Sequence, residues 1–205
     1  MCAKDSILDY ILAISTFLAV VVALFGENIR KRLFHPQIVI SLRNPIGGEL
    51  TTAKSQETTI KTRYYHLKVD NKRKGEFANN TQVVLLGIED FGPSGSLRPI
   101  WDGEVPLCWM NQNRANTNEV RRIGRTAYCD LLSIDEKKRV FLHLQIRQYN
   151  LKDVWEAAFK IVITLQARSD EVSSQIYKYQ ISWDGEWVEG EKELSKHLEI
   201  LEYKN

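Results

Sequence analysis

The sequence lacks the residue patterns on which most enzymes and metalloproteins depend. Its four histidines show no H-x-H or H-E-x-x-H spacing, and no G-x-S-x-G, P-loop or G-x-G-x-x-G motif is present. We therefore expect no catalytic residue, no bound metal and no cofactor, and we interpret the protein as non-enzymatic. His66 and His143 lie on the outward faces of predicted strands and would meet if those strands were neighbours. A metal would still need further ligands there.

Cysteine is also scarce. The three cysteines, Cys2, Cys108 and Cys129, are an odd number without metal-ligand spacing. This pattern argues against a small secreted domain held together by disulfides. Because Cys108 and Cys129 lie in apolar runs, we interpret both as buried thiols in a reducing compartment. The net charge of +2 is too small to indicate nucleic-acid binding, so no nucleic acid is expected as a partner.

One long apolar run lies near the start of the sequence. Residues 7–25 read ILDYILAISTFLAVVVALF and contain one charged residue, Asp9, close to their beginning. About 20 apolar residues cross the hydrocarbon core of a bilayer, so this run predicts a single transmembrane helix. Residues 1–6 would then form an N-terminal tail, residues 26–36 a basic juxtamembrane connector, and residues 37–205 a β domain.

The flanks of this run predict its orientation. Arg30, Lys31 and Arg32 follow it, whereas little net positive charge precedes it. Cytoplasmic flanks carry an excess of Lys and Arg, so the β domain is predicted to face the cytoplasm from the cell membrane. The three basic residues would then lie at the membrane surface.

Small residues recur within the same run. Ser15, Ala19 and Ala23 are spaced four residues apart, which places them on one face of a helix. Such a stripe lets two helices approach closely in lipid. A homo-oligomer formed through this helix is therefore a hypothesis, with a chance recurrence of small residues as its alternative.

The remainder of the sequence has the two-residue period of β-strands. Apolar side chains alternate with polar ones, or form short runs bounded by turn residues. Strands are predicted over residues 37–42, 63–70, 82–88, 105–110, 127–134, 139–147, 159–168 and 175–183. Short helices are predicted over 151–158 and 191–198, and an extended segment over 199–203. This mostly β pattern predicts a β-sandwich, with a barrel as the alternative.

Several short motifs predict turns between these strands. Residues 92–95, Gly-Pro-Ser-Gly, predict a hairpin turn. The sequence Trp-Asp-Gly-Glu occurs at 101–104 and again at 183–186, and each copy predicts a tight turn. A matched pair of ligand-binding tryptophans is the alternative. The basic triplets 72–74 and 137–139 are predicted strand connections; alternatively, one of them faces the anionic inner leaflet.

Residues 63–90 resemble the opening of immunoglobulin-like bacterial domains. In that pattern a strand ends in Val-x-Asn, a turn contains Gly, an Ala follows, and a second strand begins. The matching positions are Val69, Asn71, Gly75, Ala78 and Val83. The resemblance implies an immunoglobulin-like sandwich and no particular activity. The layout of the whole chain also resembles bacterial single-pass, membrane-anchored proteins of similar length.

Together these features predict a membrane-tethered binding or sensing module that recognises an unknown protein or small ligand. Sandwich domains commonly bind through their end loops, so residues 92–103 and 111–122 are the expected contact loops. The alternative is a membrane-acting effector, for example in bacterial defence. Its helix would oligomerise and perturb the bilayer when the β domain is triggered.

Overall fold

The chain divides into two units in a computed structural model, residues Met1–His35 and Pro36–Asn205. The structure describes residues 3–33, 35–44, 48–55, 58–112 and 119–204. The first unit contains a single helix, α1 (Ala3–Leu33). The second unit contains twelve described strands and one short helix, and holds the hydrophobic core.

Helix α1 exposes its apolar side chains. Ser15 and Thr16 satisfy their hydroxyl groups within the helix, because both donate to the carbonyl oxygen of Leu12, at 2.9 and 2.8 Å. The helix ends at Leu33, shortly before Pro36, so it continues through most of the predicted connector. Nine large apolar side chains expose between 49% and 68% of their surface: Tyr10, Ile11, Leu12, Ile14, Phe17, Leu18, Val20, Val22 and Phe25.

The helix is confirmed over residues 7–25, but its predicted transmembrane character is not supported. Within the described part of the chain, no helix combines the length and the apolar character needed to cross a bilayer.

The second unit is mostly β, with two antiparallel sheets in a sandwich-like arrangement. Sheet I has the strand order β1-β3-β7-β8-β9, and β2 also pairs with β3. Strands β1 and β2 share one edge of β3, because β7 occupies the other edge. The strand bounds are β1 (Ile38–Leu42), β2 (Glu49–Ser55), β3 (Thr58–Asn71), β7 (Thr126–Asp135), β8 (Val140–Leu142) and β9 (Val154–Trp155).

Sheet II has the strand order β12-β11-β10-β4-β5, and the short strand β6 also pairs with β4. Helix α2 (Glu191–Leu194) precedes the last strand. The β-branched and aromatic residues of β4, β10 and β11 suit these central positions. The strand bounds are β4 (Ala78–Phe91), β5 (Leu97–Pro106), β6 (Arg121–Ile123), β10 (Phe159–Arg168), β11 (Tyr177–Trp183) and β12 (Leu198–Glu202).

The core is built from the inward faces of the two sheets. Alternate residues of each strand point inward, so β3 contributes one apolar set and β11 another. The first set is Tyr65, Leu67 and Val69, and the second is Tyr177, Tyr179, Ile181 and Trp183, all 6% exposed or less. The mostly β sandwich is thus confirmed at the level of two packed antiparallel sheets.

The segment that resembles immunoglobulin-like domains adopts the predicted strand–turn–strand structure. Asn71 ends β3, and its side chain binds four backbone groups of neighbouring segments. Gly75 has a φ of +87°, which favours glycine, and the buried Ala78 begins β4. Strands β3 and β4 lie in different sheets, so this turn connects the two layers.

Two local predictions are wrong. Residues 151–158 contain strand β9 instead of a helix, because Trp155 is buried in the core and pairs with Val140 of β8. The first Trp-Asp-Gly-Glu copy lies inside strand β5, whereas the second forms the predicted turn, with Gly185 at φ +93°. The Trp101 ring lies against Gly103, and an added Cβ there would come within 2.7 Å of the ring, so a larger residue would displace it.

Three other predicted elements are shorter or shifted. The strand predicted over 139–147 is limited to β8, and the helix predicted over 191–198 to α2. The strand predicted over 105–110 begins earlier, as β5, and continues beyond Pro106 as isolated bridges to sheet I.

Candidate ligand-binding site

The outward face of sheet I carries a row of polar and aromatic side chains. Tyr64 of β3 lies opposite Ser133 of β7, which in turn lies opposite Phe141 of β8. Their chain neighbours Tyr65 and Ile134 are buried in the core, so strand alternation directs this row away from it. The fold therefore places an aromatic, hydrogen-bonding surface on the outside of the sandwich.

A cavity of about 510 Å³ lies over this row. Its volume falls in the range typical of small-molecule sites. Apolar walls and polar groups both line it, among them Ile60, Thr62, Tyr64, Ser133, Phe141, His143 and Gln145. This mixture is typical of pockets that bury a ring and orient it with a few hydrogen bonds.

Ser133 and His143 form a buried polar pair beside the cavity. The Ser133 hydroxyl oxygen lies 2.9 Å from Nε2 of His143, and the two residues are 2% and 8% exposed. The contact fixes the orientation of the imidazole ring within the cavity wall.

Tyr64 separates the two strand histidines. Its ring stacks with that of His143, at 5.2 Å between centroids, and with that of His66, at 6.2 Å. The two histidines do not meet, because β7 lies between β3 and β8 in sheet I; Tyr64 lies between their rings. Stacked rings of this kind form a stiff aromatic wall.

His66 belongs to an acidic cluster on the other side of Tyr64. Its Nδ1 lies 2.8 Å from a carboxylate oxygen of Asp130, and its Nε2 lies 3.9 Å from one of Glu49. A smaller cavity of about 270 Å³ adjoins His66, Glu49 and Arg43. Among the described residues, no group of three or more side chains is arranged to hold a metal ion.

Internal ion pairs neutralise the charges at the rim of the larger cavity. Asp135 accepts two hydrogen bonds from the Arg139 guanidinium, at 2.9 and 2.6 Å, and a third from the Arg139 backbone N–H. Arg147 pairs with Asp153 at 3.1 Å. Because each arginine already has a carboxylate partner, the cavity is better suited to a neutral polar ligand than to a strongly charged one.

The two described cysteines are free thiols. The Cys129 thiol is buried and donates to the carbonyl oxygen of Cys108 at 3.1 Å. Burial raises the pKa of Cys129 well above its usual range, and the nearby Asp130 carboxylate raises it further. A protonated, buried thiol is a poor nucleophile, so Cys129 serves packing. The burial predicted for Cys108 is only partial.

The predicted end loops contribute little to this site. Residues 92–95 form the expected hairpin turn, in which the Gly92 N–H donates to the Ser96 carbonyl at 2.9 Å. Within the predicted loop 111–122, Gln112 lines the larger cavity, Arg121 begins β6, and residues 113–118 lie outside the described residues. The tryptophans of the two repeated motifs do not form a ligand pair, because Trp183 is buried in the core.

The other predicted site residues lie on α1. Ser15, Ala19 and Ala23 are all exposed and follow one another at four-residue spacing. Arg30, Lys31 and Arg32 belong to the last turns of the helix, and their side chains lie outside the described part of the structure.

Sequence reasoning identified the histidines but missed the cavity. The available signal was the alternation of Thr62, Tyr64 and His66 along β3, which puts aromatic and polar groups on the face opposite the core. In comparisons with known proteins, the sequence matches no family model and no curated protein.

Proposed function

We propose that this protein is a membrane-associated, non-enzymatic binding module. Helix α1 contacts lipid through its apolar side chains, and the β unit binds a ligand in the cavity on sheet I. The observation that carries the proposal is the exposure of nine large apolar side chains on α1. Exposed apolar surface of this extent marks a site of contact with lipid or protein.

Lipid is the favoured contact because the helix is apolar on every side. Residues 10–26 contain no charged side chain, and the nine large apolar residues are distributed around the helix axis. Transfer of one such side chain out of water contributes about 1.5–3 kcal/mol. A helix attached to a protein groove would instead have one apolar face and one polar face.

The flanking sequence supports the cytoplasmic side of the cell membrane. Arg30, Lys31 and Arg32 follow the apolar run, and each basic residue near an anionic leaflet contributes about 1 kcal/mol to attachment. The free thiols Cys108 and Cys129 suit the same reducing compartment.

The cavity supports a binding role. Tyr64 and Phe141 provide aromatic surface, while His143 and Gln145 provide hydrogen-bonding groups beside it. We propose that it holds a small, neutral, ring-containing ligand, for which stacking supplies affinity and the polar groups supply orientation. We also propose that the sandwich is immunoglobulin-like, on the basis of the pattern in residues 63–90.

The alternative is a membrane-acting effector. The exposed stripe of Ser15, Ala19 and Ala23 favours it, since helices that pair through small residues can assemble within lipid. Induced expression in cells loaded with a membrane-potential dye separates the two functions. Depolarisation on induction indicates the effector, and an unchanged potential indicates the binding module.

Flotation of the full-length protein with neutral phosphatidylcholine vesicles tests the lipid contact. We expect the wild-type chain to float with the vesicles and the double variant Ile14→Lys, Leu18→Lys to remain at the bottom of the gradient. The matched control carries Ile146→Lys and Ile176→Lys, two exposed isoleucines of the β unit. If the control and the helix variant float equally well, α1 is not the lipid-binding element.

A further inference from the structure

One end of the β unit concentrates basic side chains around the point where the chain enters the sandwich. The turn after β3 begins with Lys72, whose backbone N–H donates to the carbonyl oxygen of Gln37 at 2.9 Å. Asn71 binds the backbone N–H of Gln37 through its side chain, and its own N–H donates to the Arg125 carbonyl oxygen at 2.7 Å. The turn, the chain entry and the β6–β7 connection are therefore fixed to one another.

We name this surface the basic end and define it by Lys72, Lys74, Phe77, Arg122 and Arg125. The four cations are all exposed, and Phe77 exposes 45% of its surface.

Phe77 and Arg122 are coupled within this surface. The guanidinium carbon of Arg122 lies 3.7 Å from the centre of the Phe77 ring. Gly124 makes room for the ring, since an added Cβ there would come within 2.8 Å of it. An aromatic ring beside a basic side chain is typical of membrane-surface contacts, where the ring enters the headgroup layer and the cation meets phosphate.

The basic end keeps a surplus of positive charge, although Glu76 lies in the same turn as Lys72 and Lys74. Asp70 pairs with Lys72 and with Lys68, at 3.2 and 2.9 Å. Asp170 and Glu171 belong to the neighbouring β10–β11 turn and bind Asn80 and Asn79. These contacts hold the two carboxylates at the start of β4, whereas Lys72 and Lys74 lie in the turn after β3 and Arg122 lies in β6.

From this arrangement we infer that the basic end docks onto an anionic lipid surface. The inference rests on the proposed attachment of α1 to lipid and adds the lipid class and the face of the β unit that meets it. In the sequence, Gln37 follows the last residue of α1 by four positions. Attachment of the helix would therefore bring the Gln37 end of the β unit close to the headgroups.

The second basic triplet provides an internal control. Lys137 and Lys138 are exposed in the turn between β7 and β8. That turn adjoins the beginning of β3, where Thr62 pairs with Asp135, whereas the basic end adjoins the end of β3. The two triplets thus lie at opposite ends of sheet I, and only the first is expected to meet lipid.

Hydrogen–deuterium exchange of the full-length protein in nanodiscs tests the docking. The nanodiscs contain either phosphatidylcholine alone or phosphatidylcholine with phosphatidylserine. We expect residues 72–77 and 121–125 to exchange more slowly in the anionic discs than in the neutral discs. Residues 136–139 should exchange at the same rate in both. The double variant Lys72→Gln, Lys74→Gln should lose this protection, and Lys137→Gln, Lys138→Gln should retain it.

The double variant Lys72→Gln, Lys74→Gln removes two positive charges, and this sets the expected weakening of docking. Each basic residue near an anionic surface strengthens attachment about five-fold, so removing two weakens docking by about 25-fold. Equal exchange in neutral and anionic discs, with the protein present in both, would overturn the docking and leave lipid attachment by α1 intact. Protection at 136–139 in place of 72–77 would also overturn it. A chain that enters neither disc would overturn both proposals.

Discussion

Ser133 of β7 and His143, directly after β8, face each other across neighbouring strands, with Oγ and Nε2 2.9 Å apart. Both residues are buried on the outward side of sheet I. The pair therefore links two strands of the cavity wall by side chains as well as by backbone hydrogen bonds.

Removing both partners of this pair should cost less than the sum of the two single losses. Ser133→Ala leaves the imidazole without this partner, and we expect a loss of about 1–2 kcal/mol in the free energy of unfolding. Ser133→Ala combined with His143→Leu should lose less than the sum of the single variants, by about 1 kcal/mol. Chemical denaturation in mild detergent, followed by tryptophan fluorescence, measures the free energy of unfolding of each member of this double-mutant cycle. Simple additivity would contradict a coupled pair.

Asn71 should be among the most sensitive polar positions. Its Oδ1 accepts hydrogen bonds from the backbone N–H groups of Gln37 and Arg73, each at 3.1 Å, and its Nδ2 donates to the Glu76 carbonyl at 2.8 Å. Asn71→Ala should lower the free energy of unfolding by about 2–4 kcal/mol. Asn71→Asp retains the acceptor and should fall between wild type and Asn71→Ala. Denaturant titration would refute this role if both variants matched wild type.

Asp70 should contribute acid-sensitive stability. Burial raises the pKa of its carboxyl, but hydrogen bonds from Thr126, Lys68 and Lys72 outweigh burial and hold the pKa below its usual value. A lowered folded-state pKa stabilises the fold above the unfolded-state pKa, about 3.9, and this stability disappears as the pH falls through the folded-state value.

Asp70→Asn should therefore destabilise the protein most at neutral pH. The difference in the free energy of unfolding between wild type and variant should shrink below about pH 4. Urea titrations at several pH values check this. A difference in the free energy of unfolding that stays constant between pH 7 and pH 2 would show that the charge of the Asp70 carboxylate does not contribute to stability.

The two described cysteines should differ in reactivity. Cys129 is buried and burial raises its pKa, whereas Cys108 is half-buried. A thiol reagent such as Ellman's should modify Cys108 in the folded protein and reach Cys129 only on unfolding. The variants Cys108→Ser and Cys129→Ser, each combined with Cys2→Ser, show which modification rate belongs to which cysteine. Rapid modification of Cys129 in the folded state would contradict its structural role.

Strand periodicity predicted most of the sandwich because its strands either alternate apolar and polar residues or form short apolar runs bounded by turns. Strand β10 lies at the predicted positions 159–168, and the central strands β3, β4 and β7 each contain the predicted segment. Alternation of this strength arises where one face of a strand is buried and the other is not.

The errors occurred where tertiary contacts override local pattern. Residues 151–158 have a helical composition, yet Trp155 is drawn into the core as part of β9. Strand β2 was missed because its composition, Glu-Leu-Thr-Thr-Ala-Lys-Ser, is polar and it lies at the edge of sheet I. Edge strands need few apolar residues, since only one side of the strand is paired.

The cavity could not be predicted from sequence because it depends on register. Ser133 lies opposite Tyr64 only because a bulge between Tyr65 and His66 shifts the pairing of β3 with β7. That shift also gives Leu131 and Leu132 adjacent buried positions, which simple alternation would not allow. The sequence shows which side chains are available, but it does not show which of them lie opposite each other.

The proposed contact of α1 with lipid can be tested position by position. A nitroxide label is placed at single cysteines from position 10 to 26 in a background without native cysteines, and power saturation compares accessibility to oxygen with accessibility to a water-soluble nickel chelate. In vesicles, oxygen accessibility should exceed nickel accessibility around the whole helix. It should fall for both reagents at Ser15, Ala19 and Ala23 if copies pair there. Nickel accessibility that rises on one helix face would contradict a helix surrounded by lipid.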